Sequence, residues 1–377
     1  MLASGQLQSW AARRGLLLGI APAGPFTRGE AALKWRAERG LTTPFAAGSL
    51  EERCRPGVLY PGARSLVVAA SPHPEAAGPP GPGRGRVARY ALGPDYHGEL
   101  QGHLRDLAGV LYRAGASLAV VQVDSGPLLE REAAYLAGLG YYGASCHLII
   151  PGLGTGAALG LVVTDLDLEP GRPLKPATCE GCGSCLAACP TGALVAPGRL
   201  EPGRCLSYLT QKRGVIPVEL RSLFGPYIWG CDTCQEVCPA NRQEKERAAS
   251  KAVQRRELQP EKVSSPGGSP ALATPGLTTI LTMDNEQFKH AFGSTALAWR
   301  GKTVLQRNAA IALGNLGDPG AVPALHVALG SPSVVLRGHA AWAMGRLGPA
   351  GRLALAKARR RETDPWVRQE IERALTW

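Results

Sequence analysis

The chain has 377 residues, enough for two or three domains, and carries 42 Lys and Arg against 30 Asp and Glu, a formal charge of +12. That balance favours a polyanionic partner, and part of it is local: residues 300–377 hold 12 basic and 5 acidic side chains, +7 of the total. No apolar run reaches the roughly 18–20 residues of a membrane span, and a chain of this length is not a small disulfide-stapled scaffold.

Near the start, Arg13-Arg14 before Leu16-Leu17-Leu18 imitates a twin-arginine export signal. The apolar stretch from Gly15 to Pro22 is short, however, and shows no clear small-residue cleavage site. The segment reads instead as a helix, Leu7 to Arg14, feeding a strand, Leu16 to Ala21, and the protein is expected in the cytoplasm, where thiols stay reduced. A second strand is expected over Ser65 to Ala70, after the turn Pro61-Gly62. Tyr96 to Ala114 has helical periodicity, with Leu100, Leu104, Leu107, Val110 and Leu111 on one side. Leu118 to Val123 is an apolar strand ending in Asp124; Ser125-Gly126-Pro127 makes a turn, Leu128 to Leu139 a helix, and Ala157 to Val163 a further strand. Interleaved strands and helices predict a layered α/β (α+β) core over residues 1–172.

Eight of the ten cysteines follow in two linked runs within residues 173–242. Cys179, Cys182, Cys185 and Cys189 form C-x2-C-x2-C-x3-C, closed by Pro190; Cys231, Cys234 and Cys238 form C-x2-C-x3-C, closed by Pro239, with Cys205 set apart. The first spacing is that of bacterial ferredoxins, in which the fourth Cys ligates the other cluster. On that logic Cys179, Cys182, Cys185 and Cys238 hold one 4Fe–4S cluster, and Cys205, Cys231, Cys234 and Cys189 a second. Structural zinc would use paired C-x2-C sites, but a third Cys two residues further on fits a cube better than a tetrahedron. Helices are expected around Leu206 to Gln211 and Val218 to Leu223.

Residues 243–275 lose hydrophobic periodicity and include Ser264-Ser265-Pro266-Gly267-Gly268-Ser269-Pro270, a linker signal. In the remaining part, 276–377, Gln306 to Gly317 matches Arg337 to Gly348 when shifted by 31 residues, and a partial third copy begins at Arg368. In that copy Ile371 and Leu375 take the places of Ala340 and Met344. Repeats of this length stack as HEAT-like helical arrays; a plain three- or four-helix cap is the alternative.

In order and spacing, several segments together resemble the epoxyqueuosine reductase family of tRNA-modifying enzymes. They are GIAPAGPF (19–26), YPGARSLVVAASPHP (60–74), VARYALGPDYHGEL (87–100), VDSGPLLEREAAYLAGLGYYG (123–143), the cysteine runs, CLSYLTQKRGVIP (205–217), YIWGCDTCQEVCPANR (227–242) and QRNAAIALGN (306–315). The resemblance implies a cobalamin held by the N-terminal core, two 4Fe–4S clusters that feed it electrons, and a helical tail that binds the tRNA anticodon stem-loop carrying epoxyqueuosine, whose epoxide is reduced to give queuosine. It places the proton donor at Asp124, where burial beside the cofactor is expected to raise the carboxyl pKa; a turn-forming helix cap is the bland alternative. Arg53, His97, Ser207 and Asp232 lie in matching motifs near the expected cobalamin or cluster edge. Cys54 and Cys146 fall outside the ligand set and are expected to be free and buried. Two departures stand out: Ala144-Ser145-Cys146 where the family has Gly-Lys-Asn after the glycine, and Gly160-Leu161 where it has Gly-Glu. Both are expected beside the active site, leaving the cluster wiring untouched.

Arg352 and Arg359-Arg360-Arg361 suit phosphate contacts that weaken with salt. A monomer is expected. Two other readings share the cysteine runs: a cobalamin-dependent reductive dehalogenase, and a non-enzymatic ferredoxin-type carrier, for which the α/β part is larger than needed.

Overall fold

The computed structural model describes residues 4–45, 47–75, 78–175, 179, 181–242 and 270–377. Most of the expected linker, 243–269, lies outside the described residues. The chain divides into two compact units: Met1–His73, Tyr96–Gly203 and Thr233–Pro266 form the first; Pro74–Asp95, Arg204–Asp232 and Gly267–Trp377 form the second. This differs from the linear division expected, because the middle of the cysteine-bearing segment groups with the helical repeats while its two ends group with the sheet. A segment this short cannot bury a core of its own, so each piece joins the core of the unit it packs in.

In the first unit, strands β1 (Leu17–Pro22), β2 (Ser65–Pro72), β3 (Ala119–Gln122) and β4 (Ala157–Thr164) form a sheet of order β1-β2-β4-β3. Every neighbouring pair is antiparallel. The mixed helix and sheet of the fold expectation is therefore present, and its sheet is antiparallel. Alternation reports which faces are buried, not the direction in which a strand runs. β2 is apolar on both sides because both sides are covered. Val67 and Ala69 join Leu100, Leu104 and Leu107 of helix α2 (Tyr96–Arg113) and Leu7 and Trp10 of α1 (Ser4–Ala12), whereas Leu66, Val68 and Ala70 meet Ala133 and Ala134 of α3 (Glu130–Leu136). Leu161 of β4 belongs to this second layer and is fully buried, which is why an apolar side chain stands there.

Two elements are shorter than periodicity suggests, for a local reason in each case. β3 starts at Ala119 because the Leu118 and Ser117 N–H groups donate to the Asp165 carboxylate. α3 starts at Glu130 because the Leu128 N–H donates to Gln122 Oε1 instead of entering the helix.

In the second unit, the repeats are real: α4 (Lys302–Leu316), α5 (Val334–Gly345) and α6 (Pro365–Leu375) recur at the expected interval, with Val322–Leu329 and Gly348–Arg359 between them. Small residues let these helices approach closely. A Cβ on Gly338 would stand 2.2 Å from the Trp366 ring, and one on Gly345 2.7 Å from Ala374 Cβ. α4 is buried on nearly every side, from Val304 to Gly314. Its neighbours include residues 204–232, which contribute Leu206, Leu209, Ile216, Phe224, Ile228 and Trp229 to the same core. Within that core Arg221 and Glu370 form a bidentate pair, Nη1–Oε2 2.6 Å and Nη2–Oε1 3.2 Å, with both side chains almost fully buried. Removing one partner strands the other charge. Glu370→Ala is expected to lower unfolding free energy by about 3–5 kcal/mol in urea titrations, and an unchanged midpoint would show that the pair carries no such constraint.

Candidate functional site

Cys179, Cys182, Cys185 and Cys238, the four thiols expected to share one cluster, line a single opening of about 370 Å³. Gly183, in the left-handed region at φ 66, lets the chain reverse between Cys182 and the short helix Ser184–Ala188 that carries Cys185. The thiols influence one another: Cys185 is pushed up first by burial and then by Cys179 and Cys238. Cys182 lies 3.2 Å from Ser184 Oγ and is lowered by that hydroxyl and the Ser184 N–H. Burial opposes ionisation of Cys189, but N–H groups of Leu194, Thr191 and Ala193 and the Thr191 hydroxyl outweigh it and lower the thiol.

The second run spans both units. Cys205 caps the helix Leu206–Gln211, and Cys231 follows Gly230, whose φ of 67 and close approach to Ala88 exclude a side chain; both cysteines belong to the second unit. Cys234, on the short helix Thr233–Glu236, belongs to the first. None of the eight forms a disulfide among the described residues. Soft sulfur donors with N–H groups aimed at them fit iron–sulfur clusters.

The Ala144-Ser145-Cys146 departure lies here and not beside Asp124. Ala144 N–H donates to Cys179 Sγ at 3.0 Å, and Gly143, Ala144 and Ser145 line the thiol opening. The departure therefore adjoins a cysteine of the expected ligand set, which itself includes none of the three altered residues. Leu161, the second departure, is a core residue. Cys54 is buried as expected, its thiol pushed up by burial, whereas Cys146 is half-buried with φ 65.

A polar group gathers at the end of β3. Tyr96 O–H donates to Asp124 Oδ2 at 3.0 Å, and His97 Nε2 lies 3.3 Å from the same oxygen, its ring stacked on Tyr96 with centroids 4.1 Å apart. Asp124 has φ 52, a conformation that Asp tolerates better than most residues and that recurs at functional sites. The loop after it is tied by Gln122, whose Nε2 donates to Leu128 O and Glu130 Oε1. A Cβ on Gly126 would stand 2.1 Å from the Gln122 amide, so only glycine passes there.

The rise expected of Asp124 depends on burial beside the cofactor, and the protein's own groups act against it. The Asp124 side chain is 64% exposed, and the His97 hydrogen bond, against the effect of burial and with help from Tyr96, holds the carboxyl below its ordinary range. The raised acid is its neighbour Glu130, pushed up to about 7 by burial despite the Gln122 hydrogen bond, with the Asp124 charge adding to the rise. Arg53 is half-buried in reach of Glu130, which favours its charge against the burial that lowers it, and its Nε has no hydrogen-bond partner among the described residues. Of the expected contacts, Arg53, His97 and Asp124 share this neighbourhood. Ser207 and Asp232 lie in the second unit with structural partners: the Ser207 carbonyl accepts from Thr210 and Gln211, and buried Asp232 accepts from the Arg89 N–H at 2.7 Å. Sequence reasoning missed Tyr96, Gln122 and Glu130. Only Tyr96, adjoining His97, carried a local signal.

Glu130 binds its proton more readily in the fold than in the unfolded chain, so this group costs stability as pH rises from about 4.5 to about 7. Glu130→Gln is expected to raise the urea midpoint at pH 8 relative to the parent while leaving pH 4 nearly unchanged. Equal pH dependence in the two proteins would contradict this.

Comparison with known proteins bears on the whole chain. Residues 53–125 match the family described as "Epoxyqueuosine reductase QueG, DUF1730", residues 178–241 a 4Fe-4S double cluster binding domain, and residues 297–376 HEAT repeats. The epoxyqueuosine reductase of Bacillus cereus is 36% identical over 366 residues, covering 95% of this chain and 92% of its own. A crystal structure of epoxyqueuosine reductase with an epoxyqueuosine-modified tRNA-Tyr stem loop matches with TM-score 0.88 and 33% identity over 99% of this chain and 98% of the other. A Bacillus subtilis epoxyqueuosine reductase structure, with its catalytic aspartate loop swung out of the active site, matches with the same TM-score, identity and coverage. This chain, an oxidoreductase with paired cluster-binding cysteine runs, belongs to the epoxyqueuosine reductase family.

Proposed function

We propose that the protein reduces epoxyqueuosine in a tRNA anticodon loop to queuosine, with Cys179, Cys182, Cys185 and Cys238 holding one 4Fe–4S cluster and Cys189, Cys205, Cys231 and Cys234 the other. The observation that carries this reading is the convergence of the first four thiols, 59 positions apart at the extremes, on one opening. Loss of the epoxide oxygen as water consumes two electrons and two protons, so the chain must bring electron carriers and a proton source together. Family membership leaves the dehalogenase and carrier readings with no observation in their favour.

A cobalamin, when bound, supplies the low-valent cobalt chemistry at carbon that side chains lack. The residues of the first unit suit such a cofactor: the Arg53 Nε is a donor without a partner among the described residues for a corrin amide, and Tyr96 and His97, half-buried at the start of α2, meet the exposed Asp124 at the end of β3. Asp124 is the proton-handling residue in this reading. Tyr96 and His97 occupy Oδ2, leaving Oδ1 to face the substrate oxygen, and His97 is the group that can pass a proton to it. Exclusion of water by cofactor and tRNA would weaken the ionised form that the open site favours. The extruded base of a loop reaches such a site more easily than one in a duplex.

Arg359, Arg360 and Arg361 stand exposed at the end of the helix Gly348–Arg359 and suit the tRNA backbone. No described helix is long and apolar enough to cross a membrane, and we place the protein in the cytoplasm as a monomer.

Anaerobic reconstitution with iron, sulfide, cobalamin and a chemical reductant, followed by nucleoside analysis of tRNA that has accumulated the epoxide, tests the whole reading. Conversion to queuosine is expected; bound zinc in place of iron and labile sulfide would defeat it. Asp124→Asn should keep the corrin spectrum and lose about 10²–10⁴-fold in turnover, and undiminished turnover would remove Asp124 from the chemistry. Replacing Arg359, Arg360 and Arg361 together by Ser should shallow the salt dependence of tRNA binding in electrophoretic shifts, an outcome that an unchanged slope would exclude.

A further inference from the structure

The three helical repeats carry a buried polar residue at the same repeat position. Asn308, His339 and Glu370 follow one another at intervals of 31 and are almost wholly buried. Each bonds to the segment 204–232. Asn308 Nδ2 donates to Thr210 O and to Ile228 O, both at 2.7 Å. His339 Nε2 accepts the Ile216 N–H at 3.2 Å, which assigns the ring proton to Nδ1, 2.7 Å from Val335 O. Glu370 pairs with Arg221. Beside Asn308, Arg307 donates to Leu209 O, Lys212 O and Gly214 O, while the Asn308 Oδ1 accepts from Arg307.

An array that only presented an outer face to RNA would bury apolar residues at these positions. The ridge instead matches the backbone groups of one irregular segment, and that segment carries Cys205 and Cys231. Thr210 lies in the last turn of the helix that Cys205 caps, and Ile228 lies three residues before Cys231. Asn308 joins the two directly, and the Gly230 N–H donates to Thr210 Oγ1 at 2.9 Å to close the same joint. We propose that Asn308, by tying Thr210 to Ile228, sets the spacing of Cys205 and Cys231 and is a positioning residue for the second 4Fe–4S cluster. This rests on the cluster assignment proposed above.

The test uses the full chain, reconstituted anaerobically, with iron and labile sulfide counted per chain and the reduced protein examined by electron paramagnetic resonance. The parent should hold about eight irons and show interaction between two clusters. Asn308→Ala should fall to about four irons with the signal of an isolated cluster. Glu370→Ala removes the ridge contact to Arg221, ten residues from the nearer cysteine, and strands a buried charge, yet should retain about eight irons. Should Asn308→Ala not fold, Thr210→Val removes the hydroxyl that accepts the Gly230 N–H at the same joint and is expected to lose the same half. Full iron in whichever of these two variants is soluble, or equal loss in Glu370→Ala, overturns the proposal, the latter because occupancy then follows stability alone. A parent without iron would instead sink the cluster assignment itself.

Discussion

An irregular stretch of backbone can be buried only if every carbonyl and N–H it hides finds a partner, and residues 204–232 impose that demand on the second unit. They contain one six-residue helix, one four-residue helix and a three-residue strand, yet contribute Phe224, Ile228 and Trp229 to the core. Arg307, Asn308, Asn315, His339 and Glu370 answer it from the helices, Asn315 by donating to Arg221 O and Gly225 O. Apolar substitutes of similar volume would fill the space and leave those groups unpaired, at about 1–3 kcal/mol each. The helical repeats therefore act as the complement of the segment that bears Cys205 and Cys231, in addition to any surface they offer to RNA.

The first unit meets a different demand. Its sheet is covered on both faces, so polar chemistry is displaced to the strand ends, and the turn after β3 concentrates it. Two carboxyl groups there have been driven apart: Asp124, solvent-facing and hydrogen-bonded by Tyr96 and His97, is held below the ordinary carboxylate range, while Glu130, behind the Gln122 amide, is pushed up to about 7 by burial. Pairs of acids with opposed environments are the usual means of holding a proton and a charge a few ångströms apart. Here the tight turn through Gly126 keeps the pair together, because the Gln122 amide occupies the space that any larger residue would need.

The parts of this protein that could be read from the chain alone were those encoded within one turn of backbone. Cysteines three and four positions apart dictate how thiols curl round a cluster, helical periodicity from Leu100 to Leu111 dictates the buried face of α2, and a 31-residue shift dictates recurring helices. Tertiary structure decided the rest. The antiparallel direction of the strands, the division of the cysteine segment between two cores, the Ala144 N–H on Cys179 and the inversion of Asp124 and Glu130 all depend on partners tens of residues away or more. Spacing along a chain determines which groups can share a turn. Burial and charge, which set what those groups do, belong to neighbours that only folding brings near.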